Sequence, residues 1–182
     1  MLDRPIFITG FMAAGKSRIG RLLARRLGRV FMDTDELVEA RAGKPVSRIF
    51  AEDGEARFRA LEREAVAAAV RPDAVVSLGG GALADPQSFA QVMRTGILVW
   101  IDADVDTILE RVGRQDDRPL LSGLTLPQRR ARVEALLAER TPRYQQAHVR
   151  ISSTGGREPE DTARRLHQSL EEWCAQHRRS AG

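Results

Sequence analysis

The 182-residue sequence predicts an α/β domain of three layers, a mostly parallel sheet of five strands with helices on both faces. Three observations carry this. Short β-rich apolar runs alternate with helical patterns from one end of the chain to the other, and that alternation builds parallel sheets through right-handed crossovers. The fourth run, Ile97-Leu98-Val99-Trp100-Ile101, is apolar at every position, as a strand covered on both faces requires. The first run breaks at a glycine and passes through small residues straight into a helix. In such sheets, ligands bind beyond the C-terminal ends of the strands.

The first strand is predicted over 6–9, and the first helix over 16–27, with Ile19, Leu22, Leu23 and Leu27 at helical spacing and Gly28 as its stop. Val30-Phe31-Met32 reads as a short strand ending at Asp33-Thr34-Asp35. A helix over 36–41 stops at Gly43 and Pro45, and Ser47 is expected to cap another through residue 50. Residues 55–70 form a longer helix with Phe58, Leu61, Ala65 and Ala68 near one face. The third strand, 74–78, ends at Gly79-Gly80-Gly81. Asp85-Pro86 pairs a cap with a first-turn proline and starts a helix that ends near Gly96. After the strand over 97–101, Asp104 caps a helix over 105–112. Residues 113–125 are polar and without period, a length that marks a functional or mobile connection. Pro127 opens a helix to about residue 140, Pro142 is expected to interrupt it, and 148–152 is the fifth strand. A turn through Pro159 leads to a last helix over 160–177, with Leu166, Leu170 and Trp173 on one side. No repeat or linker divides the chain, so 1–182 is expected to be a single domain.

The net charge of +4 suits anionic substrates such as nucleotides and carboxylates. Aromatics make up 5% of the residues, too few to interleave with a basic stripe, so no nucleic-acid partner is expected. Cys174 is the only cysteine and can form neither an internal disulfide nor a metal cluster. No apolar run reaches membrane length, and Asp3 and Arg4 lead into the first strand without a signal peptide. A cytoplasmic protein without a membrane partner is the expectation.

Gly10, Gly15, Lys16 and Ser17 fit G-x-x-x-x-G-K-[ST], a phosphate-binding loop between strand and helix. Small residues let backbone N–H groups curl around phosphate oxygens, and the helix start adds unpaired donors. Lys16 can reach the outer phosphates, and the Ser17 hydroxyl can ligate Mg²⁺. Asp33 and Asp35 at a strand end can divide two tasks, holding the cation and orienting an acceptor hydroxyl, although Thr34 or Asp35 can equally cap the next helix. The glycine triplet lets a ligand approach the backbone, or is a flexible turn. Arg118, in Arg118-Pro119-Leu120-Leu121, can neutralise a transferring phosphoryl group from a movable segment. Arg59 and Arg140 are by themselves ordinary helix arginines. These features allow a small-molecule kinase, for an acceptor such as gluconate among others, or a nucleotide-dependent regulatory protein without turnover.

As a set, G-F-M-A-A-G-K-S, D-T-D, F-R, G-G-G, R-P-L-L and R-x-P-x-Y, in this order over 6–173, resemble the shikimate kinase family. The resemblance implies a P-loop NTPase fold of the nucleoside-monophosphate-kinase type, with an acceptor-binding part over 34–62 and a lid over 113–125. It implies transfer of the γ-phosphoryl of ATP to the 3-hydroxyl of shikimate, in the chorismate route to the aromatic amino acids, by a Mg²⁺-dependent monomer. Lys16, Asp35 and Arg118 match its catalytic residues, and Asp33 with Ser17 its metal site. Asp35, Arg59, Gly80, Gly81 and Arg140 match the shikimate contacts, with the two arginines on the carboxylate. Gly10, Ala13, Ala14, Gly15, Lys16, Ser17, Arg18, Arg111, Arg118 and Arg157 match the nucleotide contacts, Arg111 and the turn at Arg157 more loosely, at the adenine. Two residues depart from the pattern. Arg18 replaces a common threonine, and Ala13 replaces a glycine, so an ordinary right-handed backbone is expected at Ala13.

Overall fold

Side chains alternate along a strand, and here each strand feeds two cores at once. Ile6 and Ile8 of β1 (Ile6–Thr9) pack on one side of the sheet and Phe7 on the other. In β4 (Ile97–Asp102) the split is Ile97, Val99 and Ile101 against Leu98 and Trp100. This is the three-layer arrangement expected from the sequence. The computed structural model describes residues 3–113, 121, 123–155 and 158–179.

Five parallel strands stand in the order β2-β3-β1-β4-β5, with β2 at Val30–Asp33, β3 at Ala74–Ser77 and β5 at Val149–Ser152. The central β1 pairs with β3 and β4, so that Ile6 lies opposite both Val75 and Ile97. From β1 the chain travels to β2 on one edge, and from β3 it crosses to β4 on the other side. The crevice between β1 and β3 is therefore where the strand order reverses, the favoured place for a ligand in an open α/β sheet.

One core includes α1 (Lys16–Leu27), α6 (Val105–Val112), α7 (Leu126–Tyr144) and α8 (Pro159–Arg179). The other includes residues of α4 (Gly54–Ala68) and α5 (Pro86–Thr95). A third, smaller cluster joins Val38 of α2 (Thr34–Ala42) and Ile49 of α3 (Val46–Glu52) to Phe58, Leu61 and Ala65 of α4. The region expected to bind the acceptor thus has apolar packing of its own.

The predicted caps at Asp85 and Asp104 accept hydrogen bonds from the backbone N–H of Ser88 and Thr107, at 2.8 and 2.7 Å. Three local expectations are corrected. Ser47 is not a cap: it lies inside α3, which starts at Val46 after Pro45. Helix α2 begins at Thr34 rather than residue 36, because the Asp33 carboxylate caps it by accepting from Asp35 N–H at 3.0 Å. Pro142 does not interrupt α7, which continues to Tyr144. Proline removes one interior hydrogen bond, but the last turn is held by Tyr144, which is buried against Trp100 with ring centres 5.8 Å apart. A short 3₁₀ turn at Ala82–Ala84 follows the glycine triplet and was not signalled by the sequence.

Candidate active site

The loop after β1 is moulded against β4. Gly10 has φ 145°, and a Cβ there would stand 2.3 Å from the Ile101 carbonyl oxygen, so no other residue fits. Within the loop Ala14 N–H donates to Phe11 O at 3.2 Å, and α1 opens with Ile19 N–H donating to Gly15 O at 2.9 Å. The Lys16 ammonium reaches back over the loop to Phe11 O at 3.2 Å. Residues 12–18 line a cavity of about 760 Å³ together with Asp33, Asp35, Ser77, Gly80, Arg111, Ser153, Glu158 and Pro159. Arg18 stands at the rim, its guanidinium 3.9 Å from Glu160.

Ala13 overturns its expectation. Its φ is 60°, in the left-handed region, and it is the only non-glycine residue with positive φ among the described residues. An alanine there costs about 1 kcal/mol or more, because its Cβ crowds the following carbonyl. Two groups from outside the loop grip this turn. Arg111 Nη1 donates to Ala13 O at 3.2 Å, and the buried Ser153 hydroxyl donates to Ala14 O at 3.0 Å.

The Ser17 hydroxyl donates to Asp33 Oδ2 at 2.6 Å, with Ser77 Oγ 3.3 Å away, while Asp33 Oδ1 caps α2. The cap expected at Thr34 or Asp35 is thus supplied by Asp33, whose other carboxylate oxygen faces the loop. Thr34 is buried and accepts from Gly79 N–H at 2.8 Å, which ties the start of α2 to the triplet.

Four charged groups crowd the triplet. A Cβ on Gly79 would lie 2.6 Å from Asp35 Oδ1 and 3.0 Å from Glu62 Oε1. On Gly81 it would meet Arg59 Nη1 at 2.8 Å, and on Gly80 Arg140 Nη1 at 3.3 Å. The structure therefore brings Asp35, Arg59, Gly80, Gly81 and Arg140 together, and turns both guanidinium groups toward the glycines. Arg118 and Arg157 lie outside the described residues, as does most of the expected lid over 113–125.

Sequence reasoning missed two members of this cluster. Glu62 is buried and accepts from Arg59 Nη1 at 2.7 Å, while Glu55 holds Arg59 from the solvent side at 3.2 Å. Burial pushes the Glu62 carboxyl up from its ordinary range, against the pull of Arg59. For Arg59, burial acts downward, but its bonds to Glu62 and Glu55 leave it raised and firmly charged. Tyr144 donates to Gly80 O at 3.0 Å, and burial pushes its hydroxyl up to about 12, so it stays a neutral donor. Both were readable in principle. Glu62 is three residues past Arg59 and Tyr144 four past Arg140, spacings that share a helix face.

Comparison with known proteins decides the family. The model of that family, shikimate kinase, matches residues 12–171. The chain belongs to the shikimate kinase family. The shikimate kinase of Symbiobacterium thermophilum is 45% identical over 171 residues, covering 92% of this chain and 96% of that one. That of Salinibacter ruber is 47% identical over 150 residues, 79% and 74% of the two chains. Among solved structures, shikimate kinase from Acinetobacter baumannii in complex with shikimate superposes with a TM-score of 0.85 at 32% identity, over 93% of each chain. In this shikimate kinase family member, the phosphate loop and the charged glycine corner share one crevice of the sheet.

Proposed function

We propose that this protein transfers the γ-phosphoryl group of ATP to the 3-hydroxyl of shikimate, giving shikimate 3-phosphate and ADP. The observation that carries the reading is the gathering of Arg59, Arg140 and Asp35 around the glycine triplet, with Asp35 and Gly80 lining the same cavity as the phosphate loop. A ring acid with several hydroxyls needs such a corner. Guanidinium groups bind its carboxylate in forks, and a carboxylate accepts from its alcohol.

In this reading the loop N–H groups and Lys16 hold the outer phosphates, and Arg59 and Arg140 hold the acceptor's carboxylate. Arg59 spends three of its five N–H groups on Glu62 and Glu55, which leaves donors for the substrate. Asp35 accepts the hydrogen bond of the attacking hydroxyl and keeps that oxygen in line with the terminal phosphorus. Positioning of this kind, with neutralisation of the charge on the moving group, supplies most of the catalysis in phosphoryl transfer. Arg111 spends in-plane N–H groups on backbone carbonyls, and the flat face of the guanidinium remains for adenine to stack on.

The donors fit Mg²⁺, a hard cation that keeps several waters and takes few protein ligands. Ser17 Oγ and Asp33 Oδ2 are oxygen donors 2.6 Å apart beside the phosphate loop. They would hold the ion, Asp33 through water, and when bound it would neutralise charge on the phosphate oxygens. No helix among the described residues is long and apolar enough to cross a membrane.

The test is ADP release measured with ATP, Mg²⁺ and a panel of acceptors. Release is expected to require shikimate and Mg²⁺ together. Turnover with gluconate but none with shikimate would transfer the site to another acceptor, and no turnover with either would leave a nucleotide-dependent binder.

A further inference from the structure

We propose that Ser153, with Arg111, is a clamp that holds the phosphate loop in its left-handed turn, and that Ala13 makes this chain depend on that clamp to bind ATP. The inference rests on the nucleotide reading of the loop. An L-residue at φ 60° drifts toward negative φ unless its surroundings prevent it, and such residues persist only where neighbours over-determine them. A change of φ at residue 13 rotates the peptide planes on either side of it. Those planes belong to the loop that lines the cavity, and one of them carries the Ala14 N–H that donates to Phe11 O, so the drift would break that bond and reshape the phosphate cradle.

The opposing contacts come from far along the chain. Arg111 fixes the carbonyl of Ala13 and Ser153 that of Ala14, 98 and 139 residues away in sequence. Both belong to one anchored unit. Ser153 N–H donates to Asp102 O at 2.8 Å, the end of β4, and Ser153 O accepts from Arg111 Nη2 at 2.7 Å. Arg111 Nη1 also approaches Ser153 Oγ at 3.4 Å. The ends of β4 and β5 and the side of α6 thus present one hydroxyl and one guanidinium to two successive loop carbonyls. Ser153 is a positioning residue here, acting on the nucleotide through the loop. A glycine at position 13 would adopt the same turn unaided, so the dependence on Ser153 belongs to the alanine.

The experiment is calorimetric titration of ADP with Mg²⁺ into wild type, Ser153→Ala, Ala13→Gly and the double variant, with shikimate titrated as a control. Ser153→Ala is expected to raise the Kd for ADP on the order of tenfold, because a loop carbonyl loses its partner and the turn relaxes. Its Kd for shikimate should stay within about twofold, since the residues assigned to that acid, around the glycine triplet, make no contact with Ser153. In the Ala13→Gly background the same serine substitution should raise the Kd by less than about threefold. An ADP affinity untouched by Ser153→Ala, or an equal loss in both backgrounds, would overturn the clamp. Ala13→Gly alone gives a second reading that does not depend on Ser153→Ala folding. Its melting temperature should match or exceed wild type, whereas a clear fall would mean that no strain is stored at residue 13. A wild type that does not bind ADP at all would instead remove the nucleotide reading beneath the proposal.

Discussion

Asp35 sits one residue into α2, where the Asp33 cap fixes its backbone and Glu62 and the Gly79 backbone crowd its carboxylate. Its position beside the triplet, rather than in the phosphate loop, sets what its loss should do. Asp35→Asn is expected to lower kcat by about a hundredfold or more while the KM for ATP stays within about threefold. Initial rates over both substrates check this, and a parallel loss of ATP affinity would reassign the residue to the nucleotide. At this scale the sequence showed charge but not direction. The resemblance grouped Asp35, Arg59 and Arg140 with Gly80 and Gly81, yet the residues taken singly gave no direction to either guanidinium, and nothing said that a buried glutamate stands behind one of them. Ala13 was misjudged for the same reason. Local preference opposes a positive φ, and the groups that enforce it, Arg111 and Ser153, are remote in sequence.

Helix ends and continuations deliver these side chains to the site. Because α7 passes through Pro142, Arg140 and Tyr144 stay one turn apart on the same face, one guanidinium near Gly80 and one phenol bonded to its carbonyl. The sequence pointed to a break because the cost of proline is local, whereas the burial that offsets it comes from Trp100 and the triplet. The caps at Asp85 and Asp104 were legible because both partners lie within one turn. Asp85 tests that class of contact at the start of α5, which packs beside the triplet's own turn. Burial acts to raise its carboxyl, but hydrogen bonds from Ser88 and the nearby Arg63 hold it below its ordinary value. A lowered folded-state pKa means stability that is present above about pH 4 and lost as pH falls through the folded value. Asp85→Ala should therefore cost about 1 kcal/mol at neutral pH, with the gap to wild type closing on acidification. Denaturant melts at several pH values measure it, and a pH-independent gap would mean that the cap's charge contributes nothing.

On the proposed function, the whole molecule places two anion grips on one crevice. The strand order reverses between β1 and β3, so the loops after these two strands, one ending in Gly15-Lys16-Ser17 and the other made of three glycines, open side by side. That both loops lie at the C-terminal ends of parallel strands was legible in the alternation of strands and helices, whereas the strand order that makes them neighbours was not. What stands over each loop depended on crossings that only folding decides: α7 returning over Gly80, and β5 ending beside the phosphate loop. The central claim is that the two grips are physically separate, so that one can be weakened without the other. The direct measurement is a matrix of initial rates for Arg59→Lys over ATP and shikimate concentrations. A lysine keeps the charge but loses the fork, so the KM for shikimate is expected to rise by about tenfold or more while the KM for ATP stays within about twofold. A shikimate KM that does not move, or one that rises in step with that for ATP, would contradict the account.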